Sequence, residues 1–115
     1  MSRRAHLRVK YKLLCHVRDL DSKTKMSAEI FTEDISEGGL RFRTPDLVPL
    51  NHRLSLTIEV PKRKSIEVQA KPVWVSPCQG IDQYMVGVQF IDLPYLERTA
   101  IQNFVAAHMP EKISY

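Results

Sequence analysis

The sequence predicts an all-β fold, a six-stranded antiparallel β-barrel with a C-terminal α-helix. Three observations carry this. Apolar residues alternate with polar ones in short runs over most of the chain. Turn-forming residues separate those runs at fairly even intervals. The period then changes to three and four near the C-terminus. Evenly spaced short strands in a chain of 115 residues favour a closed or nearly closed barrel.

The elements follow in order. In the first strand, Val9, Tyr11, Leu13, Cys15 and Val17 share one phase, while Lys10, Lys12 and His16 take the other. The polar run "DLDSKTK" turns the chain. Alternation resumes through Ala28 and Ile30 in residues 26–33. "DISEGG" (34–39) reads as a turn, where Asp and Ser bond their own backbone and Gly supplies positive φ. "LRFR" (40–43) is the third strand, ended by the prolines of "TPDLVPLN". Residues 53–60 turn Leu54, Leu56, Ile58 and Val60 inward. In the fifth strand (66–75), Pro72 implies an edge position or a bulge that shifts the inward phase. Residues 84–92 form the sixth. The helix places Leu93, Leu96, Ala100, Ile101, Phe104, Val105 and His108 on one face, with Pro94 in its first turn and Asp92 as a cap.

Composition bounds the function. Hydrophobic residues make up 43% and charged residues 26%, ordinary for a folded chain with one core. The net charge of +4 is uneven. Arg3, Arg4, Arg8, Lys10, Lys12 and Arg18 occupy the first 18 residues without an acidic residue, whereas the remainder is slightly acidic. This pattern suits a local anionic partner better than a nucleic-acid coat. Cys15 and Cys78 show no metal or redox spacing and read as buried hydrophobes. No apolar run approaches the ~20 residues that span a bilayer, and no signal peptide is evident, so a cytoplasmic location is expected.

Catalysis finds no support. The four histidines lack ligand spacing, and Ser36 sits in no nucleophile elbow. No phosphate-cradling glycine loop is present. A binding module is the better expectation, with no cofactor and no metal.

Two stretches point to a ligand. Arg4 and Arg8 in "RAHLR", preceded by Arg3, offer planar forks that grip phosphate oxygens or guanine O6 and N7, and that stack on aromatic planes. In "DISEGG", ionised Asp34 can accept from the guanine N1–H and N2–H edge. Ser36 adds a hydroxyl, and Gly39 permits close approach by a ligand. Alone, the arginine stretch reads first as a solvated basic tail, and the hexapeptide reads equally well as a structural turn. Together their donors and acceptors match a guanine nucleotide.

At these residues the sequence resembles the PilZ domain family. Arg4 and Arg8 fit its RxxxR motif, and Asp34, Ser36 and Gly39 fit its [D/N]xSxxG motif. "PVWV" (72–75) and "YMVGVQF" (84–90) are similar to later strands of the family. The resemblance implies a receptor for cyclic di-GMP, a bacterial second messenger. It implies one domain over residues 1–115: a flexible basic arm (1–8), a barrel (9–92) and a helix (93–109). Arg3 would favour two stacked ligand molecules, and Trp74 would flank the site or serve only the core. The arm would order on ligand binding, and output would pass to a downstream protein. The alternatives are a PilZ-like scaffold acting through protein contacts and a small barrel binding single-stranded nucleic acid. The latter wants exposed aromatic platforms, whereas most aromatics here fall on inward phases.

Overall fold

The computed structural model describes residues 7–23 and 27–109. Seven strands and one helix appear there: β1 (Arg8–Lys10), β2 (Leu14–Asp19), β3 (Ser27–Ser36), β4 (Gly39–Thr44), β5 (Leu54–Ile58), β6 (Ile66–Pro77), β7 (Tyr84–Ile91) and α1 (Tyr95–Ala107). All pairings are antiparallel. β3, β2, β5, β6, β7 and β4 follow one another, and β4 pairs back onto β3 to close a six-stranded barrel. β1 is the additional strand, lying beside the last third of β3.

The expected first strand is therefore two strands. Its alternation is real, because Val9, Leu13, Cys15 and Val17 are all buried. It breaks because Thr32 bonds the connecting residues. The Thr32 hydroxyl accepts from the Leu13 amide at 2.9 Å and donates to the Tyr11 carbonyl at 2.6 Å. A buried β-branched hydroxyl thus replaces ladder bonds at the joint.

The barrel interior is aliphatic. Cys15, Leu54, Leu56, Ile58, Ala70 and Val86 are at most 1% exposed. Helix α1 covers one end with Ile101, Phe104 and Val105. Leu96, expected on that face, is 76% exposed, and Leu93 just before the helix is buried instead. The expected cap is also absent. Pro94 occupies the N-cap position in extended conformation without a side-chain bond, and Asp92 takes φ 48°. The helix is held by packing rather than by its terminus.

Pro72 does mark a bulge. The β6–β7 register shifts between Pro72 and Trp74, and the inward phase passes from Ala70 and Pro72 to Val75. Cys15 is buried as expected, whereas Cys78 is only half-buried.

Candidate functional site

The reading of "DISEGG" as a turn needs correction. Asp34, Ile35 and Ser36 end β3, and only Glu37 and Gly38 turn the chain. Gly80 is the one glycine with positive φ among the described residues. Gly39 serves a different need. A methyl group there would run into the Val88 carbonyl of β7, so the glycine lets two strands approach closely. Ser36, 1% exposed, accepts from the Gly38 amide at 3.2 Å and donates to the Gly39 carbonyl at 3.3 Å. It ties the turn from within.

Asp34 reaches the outer face through a slip in β3. Ile30 and Thr32 are buried against the core, but the ladder shifts between Thr32 and Asp34, and Ile35 becomes the next core residue. Asp34 then lies opposite Lys10 of β1 on one side and Arg41 of β4 on the other. It is nevertheless 1% exposed, because two guanidinium groups cover it. Arg8 Nη1 donates to Oδ1 at 2.6 Å, and Arg41 Nε donates to Oδ2 at 2.7 Å. Arg41 Nη2 also contacts Oδ2. This bonding raises the Arg41 pKa further above its ordinary value.

The outer sides of both arginines remain open, with side-chain exposures of 43% for Arg8 and 38% for Arg41. A guanidinium has five N–H donors. The buried carboxylate takes some of them and fixes each plane, leaving the rest toward solvent. The result is a fixed cationic surface around a buried carboxylate, whose remaining donors have the geometry to bond an anion such as phosphate.

The row continues sideways. Arg41 pairs with Gly87 of β7, and Gly87 pairs with Trp74 of β6. The Trp74 indole lies over Gly87 where a side chain would otherwise stand. At ~4.8 Å per strand, the row from Lys10 through Asp34, Arg41 and Gly87 to Trp74 spans roughly 19 Å. Trp74 is 39% exposed and is thus a surface residue, not a core tryptophan. Phe31 and Tyr95 are exposed as well, although Phe42 and Phe104 are buried.

Of the sequence-predicted site residues, the structure brings Arg8, Asp34 and Ser36 together, sets Gly39 beside them at the start of β4, and places Trp74 farther along the same sheet surface. Arg3 and Arg4 lie outside the described residues. Arg41 was missed. Its signal was the outward phase of "LRFR" immediately after the acidic motif. Among the described residues no group of three His, Cys, Asp or Glu side chains could hold a metal, and no helix is long and apolar enough to cross a membrane.

Comparison with known proteins agrees with this picture. A family model for the PilZ domain matches residues 2–107. No curated protein matches the chain. Among solved structures, the Bacillus subtilis inhibitor of motility (MotI/DgrA) has a TM-score of 0.78 at 15% identity, over 93% of this chain and 51% of that one. The PilZ domain of YcgR from Escherichia coli with c-di-GMP gives 0.73 at 13% identity, over 93% and 92%. The K. pneumonia MrkH–c-di-GMP complex gives 0.64 at 17%, over 92% and 52%. The chain thus spans about half the length of the motility inhibitor and of MrkH.

Proposed function

The chain belongs to the PilZ domain family, and on that premise we propose that it is a receptor for cyclic di-GMP. The observation that carries the proposal is the pair of guanidinium groups of Arg8 and Arg41 fixed by the buried Asp34 carboxylate, each with donors left over for a ligand. Two of the solved structures sharing this fold contain the same dinucleotide, which supports the reading.

In this reading Arg8, with Arg4 and Arg3 upstream, engages the ligand phosphates and guanine faces. Arg41 extends the cationic row. Asp34 orients the arginines and offers its oxygens to a guanine edge when a ligand draws Arg8 away. Ser36 and Gly39 maintain the wall behind them. Trp74 offers an apolar face at the far end of the row. Binding orders the N-terminal arm across the outer face of β3 and β4, and the altered surface is read by a partner protein. The test is calorimetric titration with cyclic di-GMP, GTP and a short oligonucleotide. Binding of cyclic di-GMP alone supports the receptor. Tighter binding of the oligonucleotide would favour the nucleic-acid alternative, and absence of all three would favour a scaffold.

A further inference from the structure

A second surface lies away from the arginine row. Where the chain passes from β1 to β2 it runs beside the end of β5, joined by a bond from the Glu59 amide to the Leu14 carbonyl at 2.9 Å. Between them is a shallow groove. Tyr11, Leu14, Val60 and Pro61 form its floor and sides, with Lys12 and Glu59 along it. The β5–β6 turn adds Lys62, Arg63 and Lys64, all exposed.

The turn is structured. The Arg63 amide donates to the Val60 carbonyl at 3.3 Å, and Lys62 has φ 66°. Glycine or asparagine is the comfortable occupant of that backbone region, so the chain bears strain at a position where it carries a cation. Lys62, Arg63 and Lys64 make no ion pair among the described residues, and Lys12 reaches only Glu33 at 3.0 Å. Three adjacent unpaired cations beside an apolar floor raise the local positive potential and favour an anionic occupant.

We propose that this groove docks an acidic peptide segment of a partner protein, with one apolar side chain on the Leu14–Val60–Pro61 floor and carboxylates on the Lys12 and Lys62–Lys64 rim. Charge complementarity selects an acidic occupant. Nucleic acid fits less well. The nearby aromatic ring, Tyr11, is half-buried and engaged edge-on by Phe104 and His108, leaving no stacking platform. A lipid surface would gain little insertion, because Val60 is buried and Leu14 half-buried.

The test uses the full chain and a fluorescein-labelled twelve-residue peptide of glutamates around a central leucine pair, with a lysine-for-glutamate control. Vesicles of phosphatidylglycerol and a single-stranded oligonucleotide form the other arms. The acidic peptide should bind, weaken with salt, and shift the amide resonances of Lys12, Val60 and residues 62–64. The double variant Lys62→Glu, Lys64→Glu should lose roughly tenfold in peptide affinity while keeping its melting temperature and its response to cyclic di-GMP. Equal binding of acidic and basic peptides, unchanged affinity in the variant, or tighter binding of vesicles or oligonucleotide would overturn the proposal. Because these residues lie outside the arginine row, either proposal can fail alone.

Discussion

Arg8 and Asp34 meet at 2.6 Å across two strands that pair over three residues only. Asp34 is buried, and Arg41 secures its other oxygen. The three groups form an unequal unit. Removing Asp34 leaves two guanidinium groups that are partly solvated, whereas removing Arg8 leaves the carboxylate with one partner. Both changes should destabilise the fold modestly. Asp34→Ala and Arg8→Ala should each cost about 1–3 kcal/mol, and the double variant should cost less than the sum. Denaturant unfolding of the four proteins checks this. Strict additivity would mean that the contact contributes nothing.

Glycine tests separate packing from ligand contact. Gly39→Ala forces a methyl group into the Val88 backbone and should cost about 1–3 kcal/mol with no ligand present. Gly87→Ala instead meets the Trp74 indole, a side chain that can swing away. Stability should move less there. Trp74 is the sole tryptophan, so its fluorescence should shift to longer wavelength as the ring enters water. An unchanged spectrum would contradict the placement of the indole over Gly87.

Much of the fold was legible, and the misses have physical causes. Alternation located the barrel strands because each presents one face to one apolar core. It could not separate β1 from β2, since the inward phase runs through the joint unchanged and the break is made by Thr32, a distant residue. Leu96 was misplaced because helix periodicity assigns a face along a whole segment, while α1 buries only Ile101, Phe104 and Val105. The site was half legible. The motifs pointed to Arg8, Asp34 and Ser36, but the β3 slip that turns Asp34 outward depends on pairing with both neighbours. Without that slip, the outward phase of Arg41 does not by itself connect it to the carboxylate.

Acid should loosen one loop contact. Arg53 hydrogen-bonds Asp21 through its backbone amide at 2.7 Å and its guanidinium at 2.9 Å, and these bonds lower the Asp21 pKa from 3.8 to about 2. A carboxyl with a depressed folded-state pKa stabilises the fold above its unfolded value. The contribution is present above pH 3.8 and disappears as pH falls toward 2. The stability difference between the native protein and Asp21→Asn should shrink across that window. A difference independent of pH would contradict the contact.

The cysteines should differ in reactivity. Burial, with a smaller contribution from Glu59, pushes the Cys15 thiol up to about 12. At pH 8 a thiol reagent should label Cys78 in the folded protein and reach Cys15 only after denaturation. The raised value also means that Cys15 favours the fold fully below pH 9 and progressively less as pH rises toward 12. Mass spectrometry of labelled peptides checks the first statement. Equal labelling in the folded state would contradict the burial.

The central claim is that fixed guanidinium groups beside a buried carboxylate receive cyclic di-GMP. Calorimetric titration of the native chain and Arg8→Ala tests it most directly. The native chain should bind, with affinity falling as salt rises. Arg8→Ala, folded at the temperature of the titration and only modestly destabilised, should lose charge-assisted bonds of about 1.5–3 kcal/mol, roughly 10- to 150-fold in affinity. An affinity for cyclic di-GMP that Arg8→Ala leaves unchanged, or no binding by the folded native chain, would contradict the account.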